Sequence, residues 1–175
     1  MAEAQKKVKP NKWVTTGKSV LYNGLVAPLT KFKIGGTIWY QGESNTANAE
    51  SYQNLFTNMI TSWRNEWNND FPFYYVQIAP YKYDDEFAGG IVRDQQRRAL
   101  SLKNTGMAMT SDICTIEDIH PLNKQDVGLR LANIALKDHF GVLQGQEVYG
   151  PLYKSSVVDG DQVEVHFSHA DGLYN

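Results

Sequence analysis

Apolar residues fall into short runs separated by stretches with helical spacing. The run 37–41 is rich in β-branched and aromatic residues and predicts a buried strand. The runs 73–79 and 106–110 have the same character and predict two further strands. Each run ends in polar or turn-forming residues, so the strands are predicted to be short and separate.

Helical periodicity fills the intervals between these runs. Between 49 and 68, apolar residues recur at three- and four-residue steps, which predicts a helix with one broad apolar face. The residues of that face are Tyr52, Leu55, Phe56, Met59, Ile60, Trp63 and Trp67. Two more helices are predicted over 91–103 and 124–140, the second with Gly141 as its C-cap.

The order strand, helix, strand, helix, strand, helix predicts a fold of the α/β class. Strands buried on both faces that alternate with helices form a parallel sheet between two helical layers. The pattern changes after Gly150 and Pro151, where 155–158 and 162–167 flank an Asp-Gly turn and predict a β-hairpin. We therefore expect a leader over 1–19, an α/β domain over 20–145 and the start of a β-rich accessory element over 146–175.

Composition narrows the class of protein without identifying it. Of the 175 residues, 42% are hydrophobic and 21% are charged, as in a globular protein of about one domain. A net charge of −2 offers no attraction to nucleic acid or an anionic membrane, and no apolar run approaches the ~20 residues of a spanning helix. The first twelve residues lack the apolar stretch of a signal peptide, so the localisation stays open.

Polar residues collect at the carboxyl ends of the three predicted strands. The first strand runs into 41–45, the second reaches Gln77, and the third leads into the loop 111–122. Ligands bind at the carboxyl ends of strands in parallel α/β sheets. We therefore expect these three segments to form a cleft at one edge of the sheet.

His120 is the strongest candidate for a general base. Glu117 and Asp118 lie close to it in sequence, and a carboxylate on one ring nitrogen would fix the tautomer and stabilise the imidazolium. The alternative is a loop histidine that makes only local hydrogen bonds. Cys114 could pair with His120, but a lone cysteine beside a strand end more often fills space in the core.

Asn45 and Gly42 could supply the two donors that an acyl-transfer site directs at a developing oxyanion. Asparagine is also among the best N-cap residues, so capping of the next helix is an equal alternative. Ser44 lies on the same turn. The nucleophile-elbow pattern, however, requires glycine two residues after the serine, where this chain has Thr46.

Two strings are more specific than any single residue: WYQGESN at 39–45 and DIHPLNK at 118–124. With the further segments 21–29, 63–67, 71–73, 76–80, 93–96 and 127–132, they span most of residues 20–153. Together these segments resemble the sialate O-acetylesterase family. This family is a branch of the SGNH hydrolases that includes xylan and hemicellulose acetylesterases.

The resemblance implies a three-layer α/β/α SGNH-like hydrolase that removes acetyl groups from sialic acids or plant polysaccharides, with no metal and no cofactor. It implies His120 as general base, Asp118 as its orienting carboxylate, and Asn45 with Gly42 as the oxyanion site. Gln41 and Glu43 would brace the loop. The residues assigned to substrate binding are Gln41, Glu43, Gln77 and Arg93.

Two features depart from the family pattern. The family's serine lies in a Gly-x-Ser-Asn-Met-like block upstream of 21–29, and nothing upstream matches it here. The general SGNH pattern has Asp three residues before the histidine, where this chain has Glu117. Asp118 belongs to the family-like string and is preferred, with Glu117 or a backbone carbonyl as alternatives.

The sequence therefore predicts part of a carbohydrate O-acetylesterase that lacks the serine block and is inactive alone. The alternative is a non-catalytic carbohydrate-binding or assembly module. The expected ligand is an acetylated carbohydrate, with neither nucleic acid nor a membrane as partner. A partial parallel sheet would also expose an apolar strand edge, which could pair with a second copy or a complementing chain.

Overall fold

The computed structural model describes residues 19–172. All but the last residue of the predicted leader over 1–19, and the last three residues of the predicted accessory element, lie outside the described residues. The chain divides into two compact units between residues 33 and 34. In the first unit, a π-helical turn, Tyr22–Val26, is followed by a 3-10 turn, Ala27–Leu29.

In the second unit, three strands form a parallel sheet in the order β1-β2-β3. They are β1 (Thr37–Trp39), β2 (Phe73–Val76) and β3 (Thr105–Ala108). The predicted parallel sheet is confirmed, although each strand is shorter than its apolar run. Beyond β2 the backbone leaves the regular strand, and the Gln77 N–H makes one further hydrogen bond, 2.9 Å to the carbonyl of Ala108.

Three α-helices accompany the strands: α1 (Tyr52–Trp67), α2 (Ala88–Arg98) and α3 (Lys124–Asp138). The helix predicted over 49–68 starts later than expected, because a 3-10 segment, Glu43–Ser51, occupies its first residues. The 3-10 segment contains a break in helical geometry at one residue and leads the chain from β1 into α1. A short 3-10 turn likewise extends α2 to residue 101.

Alternate residues of the sheet contact different helices, which gives the three layers. On one face, Phe73 and Tyr75 of β2 pack in a cluster with residues of α1 and α2. On the other face, Tyr74 and Val76 pack in a cluster with residues of α3. Since successive strand residues point to opposite faces, a four-residue strand supplies both cores. This arrangement confirms the predicted α/β/α architecture.

The apolar face of α1 is narrower than its sequence predicts. Phe56 and Ile60 are buried against the sheet, and the ring of Phe56 lies edge-on to Tyr75 with centroids 4.9 Å apart. Leu55, which was assigned to the same face, is 56% exposed. Leu55 lies at one margin of the apolar stripe along α1, so the sheet does not cover it.

The predicted hairpin is confirmed and is longer than its sequence signal. It comprises β4 (Leu152–Asp159) and β5 (Gln162–Ser168), paired antiparallel. Gly160 has φ of +61° in the connecting turn, a conformation that glycine adopts without a steric penalty. A register shift near Tyr153 interrupts the ladder at the base of the hairpin.

Candidate active site

The end of β1 is fixed by a glycine. Gly42 has φ of +154°, and a Cβ atom placed on it would lie 2.7 Å from Cγ2 of Ile78. A side chain at this position would therefore collide with the segment that follows β2. Gly42 also stands as the N-cap of the 3-10 segment, so the chain turns sharply from β1 into the loop that carries the predicted oxyanion residues.

Gln41 organises this loop through both its side chain and its backbone. Its Nε2 donates a hydrogen bond of 2.7 Å to Oδ1 of Asn45, and its carbonyl accepts one of 3.0 Å from the Tyr52 hydroxyl. The Asn45 N–H donates to the Gly42 carbonyl at 2.8 Å. Oδ1 of Asn45 is thus engaged as an acceptor, and its NH₂ group is the donor of this side chain. Asn45 caps neither adjoining helix, so the capping alternative does not hold.

His120 lies on the exposed loop between β3 and α3. Oδ1 of Asp118 accepts a hydrogen bond of 2.7 Å from the backbone N–H of His120, which closes a tight turn. Within residues 19–172, no side chain hydrogen-bonds to the imidazole ring. Asp118, which was expected to orient the ring, therefore holds the backbone of the loop in this structure.

A hollow of about 480 Å³ lies between these two loops. Gln41, Glu43 and Ser44 line it from the loop after β1, and His120 lines it from the loop before α3. Two segments that are distant in sequence thus meet at the carboxyl edge of the sheet. Asn45 stands one hydrogen bond behind this lining, through Gln41.

Tyr40 and Lys124 also line the hollow, and residue-by-residue reasoning missed both. Nζ of Lys124 lies 4.8 Å from the centre of the Tyr40 ring, within cation–π range. Burial of the Tyr40 hydroxyl, together with nearby Cys114 and Glu43, raises its pKa to about 12, so the phenol stays protonated at neutral pH. Both residues belong to the two family-like strings, which was the available signal.

Gln77 and Arg93 form a separate polar group. The side chain of Gln77 is buried, and its Nε2 donates a hydrogen bond of 3.0 Å to the Arg93 carbonyl. Nη2 of Arg93 donates to Oγ of Ser111, just beyond β3. Neither residue is among those that line the hollow beside His120. The four predicted substrate-binding residues therefore divide into two pairs: Gln41 and Glu43 line the hollow, and Gln77 and Arg93 do not.

The pKa of the Tyr83 hydroxyl responds to charges from both groups. Burial of this hydroxyl and the neighbouring charge of Glu43 raise its pKa to about 12, while Arg93 opposes that shift. Glu43 lines the hollow, and Arg93 belongs to the second group. Charges from both groups therefore act on one buried hydroxyl.

The largest of the described hollows lies elsewhere. It has a volume of about 630 Å³ and is lined by residues that precede β2 and β3, among them Asp70 and Asn104. It is therefore at the amino edge of the sheet. Ligands of parallel α/β sheets bind at the carboxyl edge, so we place the candidate site in the smaller hollow.

The described part of the chain gives no indication of a metal site or a membrane span. Among residues 19–172, no group of three His, Cys, Asp or Glu side chains is arranged to hold a metal ion. None of the helices in that range is long and apolar enough to cross a bilayer.

Comparison with known proteins identifies the family. The family model described as carbohydrate esterase, sialic acid-specific acetylesterase matches residues 2–137. The chain belongs to this family. The sialate O-acetylesterase of Mus musculus is 32% identical to this chain, over a match that covers 71% of this chain and 27% of the relative. The Homo sapiens sialate O-acetylesterase is also 32% identical, covering 65% of this chain and 26% of its own length.

A solved structure extends the comparison to the fold. The crystal structure of a carbohydrate acetylesterase from Xanthomonas citri superposes with a TM-score of 0.78 at 37% sequence identity. The match covers 85% of this chain and 35% of that chain. The predicted family and SGNH-like α/β fold are thus confirmed. The chain spans about a quarter of the length of the curated relatives it matches.

Proposed function

We propose that this chain supplies part of a site that hydrolyses acetyl esters of carbohydrate hydroxyls, on sialic acids or plant polysaccharides. The observation that carries the proposal is the hollow at the carboxyl edge of the sheet, which His120 lines together with Gln41, Glu43 and Ser44, with Asn45 one hydrogen bond behind Gln41. A general base and amide donors close to one hollow are what acyl transfer requires.

The residues would act in a defined order. His120 would take the proton of a serine hydroxyl as the serine attacks the acetyl carbonyl. The Asn45 NH₂ group and the Gly42 N–H would donate to the oxyanion that forms. His120 would then return the proton to the departing sugar oxygen, and water would release acetate from the serine in a second round. Asp118 would support His120 by holding its loop. Glu117 or a backbone carbonyl are the alternatives for orienting the imidazole ring.

The nucleophile is proposed to come from outside the described residues. The serine that lines the hollow is Ser44, which is exposed and does not fit the elbow pattern. The isolated chain is therefore expected to be a fragment without turnover, because a base and an oxyanion site alone forfeit covalent catalysis.

The experiment supplies the serine. The chain would be combined with the part of the Xanthomonas citri acetylesterase that the match leaves uncovered, and assayed on an acetylated xylo-oligosaccharide and an O-acetylated sialic acid. We expect hydrolysis that falls about 10²- to 10⁴-fold in His120→Ala, the usual contribution of a general base. His139→Ala is the matched control, because His139 lines the hollow at the opposite edge of the sheet.

Other outcomes would contradict parts of this proposal. Hydrolysis that survives His120→Ala would remove the assigned base. Turnover by the isolated chain that persists in Ser44→Ala would reveal another nucleophile and reject the fragment hypothesis. Binding of acetylated sugar without hydrolysis, even in the combined protein, would favour the alternative, a non-catalytic carbohydrate-binding module.

We further propose that the open side of β1 receives another strand, from a second copy or a complementing chain. Within residues 19–172, β1 pairs only with β2, so its other edge offers free backbone groups. Ile38 of β1 is 71% exposed, since the cluster formed by α3 involves residues of β2 and β3. An apolar residue on an open strand edge favours pairing.

Sedimentation velocity over a range of concentrations tests this pairing. We expect reversible self-association that Ile38→Lys suppresses without affecting the fold, because a charge on an edge strand disfavours pairing. Val158→Lys is the control, since Val158 is an equally exposed residue of the hairpin. A single monomer at every concentration would contradict self-association.

A further inference from the structure

Arg93 has no counter-ion within residues 19–172. Its Nη2 donates to the hydroxyl of Ser111, and its Nε is buried with no hydrogen-bond partner. Burial lowers the pKa of the guanidinium from its usual value, which reflects the cost of desolvating this charge. Such a cation is ordinarily paired with an anion.

The carboxylates that adjoin Arg93 and its partner Ser111 in sequence already have partners. Asp94 accepts from both Arg97 and Arg98, at 2.7 and 2.6 Å. Asp112 accepts two hydrogen bonds from Arg130, the shorter at 2.5 Å. Neither carboxylate is therefore free to neutralise Arg93.

Two other buried polar atoms near Arg93 also have no hydrogen-bond partner. Gln77 is 7% exposed, and its Oε1 is buried without a partner although its Nε2 is bound to the Arg93 carbonyl. The hydroxyl of Tyr83, close enough to feel the charge of Arg93, is also buried without a partner. Ser111 is exposed, so this group reaches the surface at the carboxyl edge of the sheet. A cation, a hydroxyl and an unused amide oxygen together suit a ligand that has both a carboxylate and hydroxyl groups.

We propose that Arg93 and Ser111 form a carboxylate-binding subsite that selects acidic over neutral sugars. The planar guanidinium would donate to the carboxylate, and the Ser111 hydroxyl would donate a further hydrogen bond. The inference rests on the proposed carbohydrate site, and it resolves whether that site takes acidic sialic acids or neutral polysaccharide units. Arg93 would be a ligand-binding residue that takes no part in proton transfer.

The test compares two ligands that differ only at the carboxyl group, which is ionised in one and a neutral methyl ester in the other. The chain is titrated calorimetrically with the α-methyl glycoside of N-acetylneuraminic acid and with the C1 methyl ester of the same glycoside. We expect the acid to bind at least about tenfold more tightly than the ester, as expected for a charge-assisted hydrogen bond. Arg93→Gln should remove this difference and leave the affinity for the ester within about twofold.

Three further variants keep the result interpretable. Arg98→Gln is the matched control on the same helix, because Arg98 is already paired with Asp94. It should preserve the preference for the acid. Ser111→Ala changes an exposed residue and should weaken acid binding several-fold even if Arg93→Gln does not fold. Arg93→Lys keeps the charge without the planar fork and should retain part of the preference.

The outcomes separate this inference from the proposed function. Equal binding of acid and ester, or equal losses for both in Arg93→Gln, would overturn the carboxylate subsite. Binding of acetylated xylobiose that depends on His120 would leave the proposed function standing in that case. If neither the acid, the ester nor acetylated xylobiose binds, both the subsite and the proposed site are wrong.

Discussion

At the scale of single residues, Gly42 decides how β1 connects to the site. Its positive φ and the contact that any Cβ would make with Ile78 both exclude a side chain. The carbonyl of the same residue accepts a hydrogen bond from the Asn45 N–H, and its own N–H is the one that the proposed mechanism directs at the oxyanion. Stability and site geometry are thus coupled at one position.

We expect Gly42→Ala to lower the free energy of unfolding by about 2 kcal/mol or more, from backbone strain plus an overpacked contact. Urea denaturation measures the change. Gly90→Ala is the matched control, because Gly90 lies in α2 and a Cβ there meets no atom within 4 Å. Alanine in a helix should be stabilising by about 0.5 kcal/mol. Similar effects of the two substitutions would refute the steric argument.

The sequence predicted which segments lie close together better than it predicted the contacts of their side chains. The polar strings pointed to 41–45 and His120, and the structure brings both to one hollow. Spacing along the chain could not show that Asp118 would bind the backbone of His120. Nor could it show that Lys124 would lie against the Tyr40 ring. Side-chain direction depends on loop conformation, which is set by tertiary contacts.

At the scale of elements, the base of the hairpin is tied to the segment after α3 by Glu147. This carboxylate bonds to Nδ1 of His169 at 2.7 Å and to the backbone N–H of Tyr149 at 2.9 Å. The hydrogen bond from His169 is the main reason that the pKa of Glu147 falls from 4.5 to about 2, and Lys137 adds a smaller effect. The ionised form is therefore favoured in the folded state.

The lowered pKa predicts a pH dependence of stability. The contribution of Glu147 to the free energy of unfolding should be complete above pH 4.5. It should disappear as the pH falls to about 2, because the carboxylate is then protonated in the folded state as well as in the unfolded state. Since Glu147 is partly exposed, we expect about 0.5–1 kcal/mol. The difference in unfolding free energy between wild type and Glu147→Gln should shrink over that interval.

A control on the hairpin isolates this effect. Glu164→Gln changes a carboxylate whose histidine contact is longer, 3.5 Å to His166. Its difference from wild type should vary less with pH over the same interval. A Glu147→Gln difference that stays constant from pH 4.5 to about 2 would show that the Glu147 contacts do not stabilise the fold.

Element boundaries were the part of the fold that the sequence predicted least well. The strand predicted over 73–79 keeps its apolar composition to the end, yet regular pairing stops at Val76. Apolar composition reports burial, and Ile78 and Ala79 are indeed buried. Burial of an irregular segment leaves the same sequence signal as burial of a strand, so composition alone could not locate the boundary.

At the scale of the whole molecule, the predicted layers were correct because several signals agreed. The β-branched and aromatic composition of the strands, the helical periodicity and the order of elements all indicated helices on both faces of a parallel sheet. One packing detail was not predictable from pattern. Gly106 of β3 lets α3 approach so closely that a Cβ would lie 2.6 Å from Cγ2 of Ile134. Helix-to-sheet distance depends on this pairing across the interface.

The strand order β1-β2-β3 also bears on how the molecule forms. Within residues 19–172, each strand of this sheet pairs with the next one along the chain, so none of these pairings has to wait for a strand made much later. Contacts between consecutive units close smaller loops than contacts that skip a unit, and smaller loops lose less chain entropy on closure. The sheet can therefore assemble progressively during translation, one strand–helix unit after another.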